Sequence, residues 1–182
     1  MSIRAEWRRL LADRQHLFQL QPLDGDPSAR TVLLSKEMNE LIEGPWEEGE
    51  EGNRLARLLA TLHNIVAGRR LVVCLTPHKA RKADIGRLCP ISDSIWDIRC
   101  HDKPALRVFC AFVEKDVLFA VTCRPRSVKV DWLGWFPLGD RNSKEWKRGM
   151  AATKREWARL FPPYEPVKGD NLDAYLSNAT LE

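Results

Sequence analysis

Apolar and polar residues alternate with a period of two in three consecutive stretches between Ile95 and Arg126, reading IWDIRC, ALRVFCAFVE and VLFAVTCRPR. The alternation predicts strands, and the breaks between them, HDKP and KD, are too short to hold a crossover helix. An antiparallel meander is the expected result. In its first strand Trp96, Ile98 and Cys100 fall on one face and Ile95, Asp97 and Arg99 on the other. In the second, Leu106, Val108, Cys110 and Phe112 oppose Arg107, Phe109, Ala111 and Val113. Unbroken alternation in the third sets Val117, Phe119, Val121 and Cys123 against Leu118, Ala120, Thr122 and Arg124. Every strand has an apolar face, and the other face carries a guanidinium: Arg99, Arg107 or Arg124. Register decides whether these three share a face, and the pattern does not fix register. They are either one cationic group or scattered surface arginines paired with Asp97, Asp102 or Asp116.

Periodicity elsewhere changes from two to 3.6. Ile3, Trp7, Leu10, Leu11 and Phe18 predict a helix over residues 2–19, followed by a loop with Pro22, Gly25 and Pro27. Leu33, Leu34, Met38, Leu41 and Ile42 predict a second helix over 31–42, ended by Gly44 and Pro45. A third, capped by Asn53, carries Leu55, Leu58, Leu59, Leu62, Ile65 and Val66. Gly68 stops it, and Leu71 to Leu75 reads as a short buried strand. Residues 76–94 then read as an exposed basic loop with Lys79, Arg81, Lys82 and Arg87. The last strong helix starts at Asn142, with Glu145 completing a capping box, and buries Trp146, Met150, Thr153, Trp157 and Leu160. Pro162 and Pro163 end it, and a short helix is expected around Leu172 to Leu176. The fold class is α+β, with the strand at 71–75 and the meander in one sheet covered by the helices near 54–67 and 143–161.

A chain of 182 residues, 44% hydrophobic and 30% charged, is long enough to bury a core. Its net charge of +4 argues nothing about nucleic acid by itself. Placement matters more. Glu43, Glu47, Glu48, Glu50 and Glu51 crowd one loop, whereas Lys144, Lys147, Arg148, Lys154, Arg155 and Arg159 coat the last helix. Attraction between opposite charges predicts that the acidic loop lies near the basic surface, against the alternative of a solvated, distant loop. Trp132, Trp135 and Phe136 need burial or a base to stack on.

Five cysteines, an odd number with no C-x-x-C pair, predict reduced core thiols and a reducing compartment. Cys74 with His78 and Cys100 with His101 are single pairs, so no metal site is expected. No glycine-rich phosphate loop or nucleophile elbow is visible, and no cofactor is expected. No apolar run approaches the roughly 20 residues that span a bilayer, so a cytoplasmic protein is expected.

Trp96-Asp97-Ile98-Arg99, then Arg107-Val108-Phe109, then a third strand and a basic helix, resemble the RelE/HigB-type toxin superfamily, and more narrowly its phage-derived Gp49-like branch. The similarity covers roughly residues 53–160. It implies a RelE-like domain over 53–182, preceded by an N-terminal helical extension with the acidic loop over 1–52. Helices would pack on one side of a small twisted antiparallel sheet, and RNA would lie on the concave side. In such toxins the ribose 2′-hydroxyl attacks the adjacent phosphate of mRNA, commonly at the ribosome, while arginine and lysine stabilise the phosphorane. The resemblance implies Arg99 and Arg107 as phosphate clamps, with an antitoxin protein as a partner. Arg124 and Arg126 join them by position, and His101, in the turn after Arg99, is the candidate general base. Lys79, Arg81, Lys82, Lys147, Arg148 and Arg155 are candidate RNA contacts. The alternative is a non-catalytic module binding nucleic acid or protein.

Overall fold

The computed structural model describes residues 2–77, 82–101, 105–126 and 143–182, with the backbone alone at 129–130 and 137–138. In chain order the elements are α1 (Ile3–Asp13), β1 (Leu17–Gln19), β2 (Thr31–Ser35), α2 (Lys36–Glu43), α3 (Glu50–Val66), β3 (Leu71–Cys74) and β4 (Ile85–Arg87). They continue with β5 (Ile95–Cys100), β6 (Leu106–Glu114), β7 (Val117–Pro125), β8 (Lys129–Val130), β9 (Pro137–Leu138), α4 (Lys144–Leu160) and β10 (Ala179–Leu181).

Among the described residues one eight-stranded sheet runs in the order β1-β2-β7-β6-β5-β4-β3-β10, and β8 pairs with β9 separately. β5, β6 and β7 are antiparallel neighbours in chain order. The sheet around them is mixed, because β2 joins β7, β4 joins β3 and β3 joins β10 in parallel. The expected small antiparallel sheet is therefore replaced by a larger mixed one. β1 and β2, from the first 52 residues, belong to it.

Helices lie on both faces, not on one. Leu58, Leu62, Ile65 and Val66 of α3, with Met38 of α2, pack on Trp96, Ile98, Val108, Cys110, Phe112, Leu118 and Ala120. On the second face Trp157 and Leu160 of α4, with Trp7 and Leu10 of α1, pack on Leu33, Ala111, Phe119 and Val121. Met150 of α4 adds Ile95 and Phe109. α4 comes close to the sheet because Gly149 faces the Phe109 ring, where a Cβ would collide. Burying a large side chain such as these stabilises by about 1.5–3 kcal/mol, so two filled faces hold the sheet between its helices.

Several helix boundaries differ from the pattern. Thr31–Ser35 is a strand because Val32 and Leu34 bury on one face and Leu33 on the other, whereas a helix would bury one stripe. Ser35 then closes the strand and opens α2: its Oγ donates to Val121 O at 2.6 Å and accepts from Met38 N at 3.1 Å. Residues 17–19 likewise leave α1 to pair with β2. Gly49 takes the N-cap position of α3 instead of Asn53. Ser143 caps α4 through Trp146 N at 3.0 Å, while the expected cap Asn142 lies outside the described residues, as do Trp132, Trp135 and Phe136. The basic loop contains β4, and the tail holds a 3-10 turn at Leu172–Ala174 before β10. No ion pair joins residues 43–51 to α4 among the described residues. α3, into which the acidic loop leads, packs on the face of the sheet opposite α4, whereas α2 borders α4 along a cavity lined by Glu37, Glu40, Arg155 and Arg159.

α1 is tied to the end of β6. Arg4 Nε reaches Glu114 Oε2 at 2.9 Å and Trp7 Nε1 donates to Glu114 Oε1 at 3.0 Å. Burial alone would raise the Glu114 pKa, but the hydrogen bonds from Arg4 and Trp7 and the Arg4 charge outweigh it and hold it below the usual carboxylate range. A depressed folded pKa gives stability that is present above the unfolded value and lost as pH falls through the folded one. The Trp7 indole N–H resonance should therefore titrate below the ordinary glutamate range, and in Glu114→Gln that step should disappear. An unchanged step in the variant would sever this link.

All five cysteines are free. Burial pushes the Cys110 thiol far up and the Cys123 thiol to about 12, so neither ionises near neutral pH.

Candidate nucleic-acid interface

The register left open by the sequence is settled by one extra residue. Between Phe109↔Thr122 and Cys110↔Ala120 the pairing shifts, so Val121 has no opposite partner on β6. Such a bulge reverses the parity of everything beyond it. Cys123 therefore turns to the α3 face with Val108, while Thr122 and Arg124 turn to the face of Phe119. The alternation expected along β7 is broken there, because Val121 and Thr122 both lie on the face of Phe119. The consequence is that Arg99 lies directly opposite Arg107, and Arg107 directly opposite Arg124. Three arginines from three adjacent strands stand in one row on the α4 face, beyond the apolar patch that α4 and α1 cover.

Like charges directly across strands repel, so the row needs counter-ions. Asp97, two residues before Arg99 on the same face and fully buried, supplies one. Arg99 Nε lies 3.0 Å from Asp97 Oδ1, and Arg107 Nη1 binds Asp97 Oδ2. Arg124 Nη2 pairs with Glu37 of α2 at 3.2 Å, and Thr122 Oγ1 donates to the same carboxylate oxygen. Arg107 also lies 5.7 Å from the Trp146 ring centroid, which links the row to the first turn of α4. Of the three carboxylates expected as partners, Asp97 holds two arginines of the row. Asp116 holds Arg30 instead, and Asp102 lies outside the described residues.

Gly86, which the sequence pattern did not single out, determines where Arg99 lies. A Cβ there would run into the Arg99 guanidinium, so the glycine lets that side chain fold across β4. Burial lowers the Arg99 pKa, opposed by the nearby Cys74 and Glu182.

At the open end of β5 and β6 is a cavity of about 260 Å³ lined by Arg99, His101, Ala105, Arg107 and Arg126. Arg126 is exposed and anchored by its own N–H to Ala105 O at 2.8 Å, with no side-chain partner among the described residues. His101 is exposed, and its Nε2 lies 3.2 Å from Ala83 O. In the tautomer that donates from Nε2 to that carbonyl, Nδ1 keeps the lone pair a base requires. Among the described residues, four guanidinium groups stand against the carboxylates of Asp97, Glu37 and Glu182 around this end of the sheet, leaving a small excess of positive charge. A cation with guanidinium geometry takes a phosphate through paired N–H donors.

Arg99, His101, Arg107, Arg124 and Arg126 are thus brought together, and the other candidates are not. Lys82 is exposed, and its backbone N–H binds Glu182 Oε1 at 2.6 Å. Lys79 and Arg81 lie outside the described residues. Lys147, Arg148 and Arg155 are exposed on α4; Arg148 pairs with Glu145, and Arg155 lines a separate cavity with His16 and Glu37. None of the described helices is long and apolar enough to cross a membrane. Comparison with protein-family models, curated proteins and solved structures finds no match for this chain.

Proposed function

We propose that the protein binds a single strand of RNA by its phosphates at the arginine row and cleaves it as a RelE/HigB-like toxin does. The observation that carries this reading is the direct cross-strand alignment of Arg99, Arg107 and Arg124 beside a cavity that also holds His101 and Arg126. The two short motifs of the resemblance lie on adjacent strands, and their arginines are opposite one another. In the reaction, His101 removes the proton of a ribose 2′-hydroxyl, the oxygen attacks the neighbouring phosphorus, and Arg107 and Arg126 stabilise the charge on the phosphorane. The bond to the 5′-oxygen breaks, that oxygen takes a proton from solvent water, and a 2′,3′-cyclic phosphate remains. The substrate class is mRNA, with the ribosome as its platform and an antitoxin as the protein partner that covers the row.

A second reading has its own observation. Buried Asp97 takes charge from both Arg99 and Arg107, which weakens their stabilisation of a phosphorane and suits a module that binds without cleaving.

Arg126→Ala separates charge from folding, because that side chain is exposed. It is expected to weaken binding of a short single-stranded RNA about tenfold, the scale of one charge-assisted hydrogen bond, with Tm unchanged. Single-turnover cleavage on translating ribosomes, slowed by the same change and by His101→Ala, would support the toxin-like reading. Arg126-dependent binding without any cleavage leaves the binding module, and RNA affinity indifferent to Arg126 removes both.

A further inference from the structure

The arginine row does not end at His101. A second cavity, of about 330 Å³, shares Arg99, Cys100 and His101 with the first and continues past them to Asn64, Arg69, Arg70 and Asp84. Arg69 and Arg70 follow the end of α3 and precede β3; both are exposed, and neither guanidinium has a partner among the described residues. Asn64 is exposed on the last turn of α3. Among the described residues Asp84 is the only carboxylate lining this cavity, and its Oδ2 is occupied by Val72 N at 2.8 Å. Cations therefore outnumber carboxylates here too, and they sit on the other side of β5 from Arg107 and Arg126.

We propose that this cavity is a second nucleotide subsite, with Arg69 and Arg70 holding the phosphate next to the one bound at the arginine row, and Asn64 and Asp84 facing the sugar and base. The proposal rests on the RNA-binding reading above and narrows it. The ligand is a strand that crosses the end of β5, with its reacting phosphate between the two cavities beside His101. A mononucleotide would fill only one of them.

Physical chemistry gives two separable readouts. Each phosphate neutralised on a single strand adds about 0.7 to the slope of log affinity against log salt, so losing the one phosphate that Arg69 and Arg70 hold flattens it by about 0.7. Affinity should fall only for ligands long enough to reach the subsite.

The experiment uses the full chain and 2′-O-methyl RNA, which cannot be cleaved, as a dinucleotide with one phosphodiester and as an octamer, over a salt series. For Arg69→Gln with Arg70→Gln, the octamer should bind about tenfold more weakly, with a flatter slope, and the dinucleotide should bind as to the wild type. Arg126→Ala should weaken both ligands. If the double variant leaves octamer affinity and slope unchanged while Arg126→Ala still weakens binding, the second subsite is overturned and the proposed function stands. Equal weakening of both ligands by the double variant also overturns it, because the corner would then act on the first phosphate. Indifference to every variant removes the RNA reading and the subsite together. Both arginines are exposed, so an unchanged Tm is expected, and circular dichroism checks it.

Discussion

Asp97→Asn is expected to destabilise the protein by about 3–5 kcal/mol, the cost of leaving buried charges without their counter-ion, and to lower Tm by roughly 10 °C for a chain of this size. The change is nearly isosteric, so packing against Phe109 and Gly86 is kept and the loss reports electrostatics. Asp97 is fully buried, while the Arg99 and Arg107 side chains keep 13% and 12% of their surface. Without that carboxylate both cations remain largely desolvated and repel each other across the strands. The same change adds one unit of positive charge to the row, so under the proposed function RNA affinity should rise as stability falls. Asp97→Asn with Arg99→Gln should recover part of the lost Tm, because it removes one of the stranded charges, and a double-mutant cycle measures the coupling. An unchanged Tm in Asp97→Asn would show that the carboxylate does not hold the row.

Arg30→Met should cost a similar 3–5 kcal/mol for a different reason. Arg30 precedes β2, and only 1% of its side-chain surface is exposed. Nη1 donates to Arg69 O at 2.9 Å, Nη2 donates to Ser177 O and to Asn178 O at 3.2 Å, and Nε lies 3.5 Å from Asp116 Oδ1. Burial lowers its pKa, and Asp116 opposes that. One guanidinium thus joins the end of α3, the turn between β6 and β7, and the tail leading into β10. Methionine fills the volume but leaves those carbonyls unsatisfied. Amide exchange should then accelerate first in the backbone of 179–181, ahead of β5 to β7. Exchange that stays uniform along the sheet would contradict this role.

The parts of the fold that were legible in the sequence are those with enough residues to show a period. β5, β6 and β7 alternate over six or nine residues each, and α3 and α4 carry apolar stripes over 17. β1, β4 and β10 have three residues each, too few for alternation, and they are strands because a neighbour offers hydrogen-bonding groups. Thr31 to Leu34 misleads because Leu33, Leu34 and Met38 also fit a helical stripe, and only burial on both faces decides. The site divides the same way. Arg99, Arg107, His101 and Arg126 stand out locally by charge beside apolar strands. Glu37, Gly86, Arg69 and Arg70 act through tertiary neighbours brought from far along the chain, and no local pattern marks them. The arginine row itself was hidden by Val121, since an apolar residue in an apolar strand gives no sign that it is the unpaired one.

That bulge makes the cationic surface depend on how β7 is registered against β6 rather than on which apolar side chain stands at the bulge. Any apolar side chain of similar size at position 121 would preserve the alignment. Deleting Val121 would remove the bulge and leave Thr122, Cys123 and Arg124 opposite Phe109, Val108 and Arg107 as before, whereas pairing Val121 into the ladder would rotate Arg124 and Thr122 into the α3 core and turn Cys123 outward beside Arg107. A frame of charge assembled from three strands thus depends on one residue staying out of the ladder, and a one-residue slip of β7 along β6 would switch the character of a whole face without altering any of its residues.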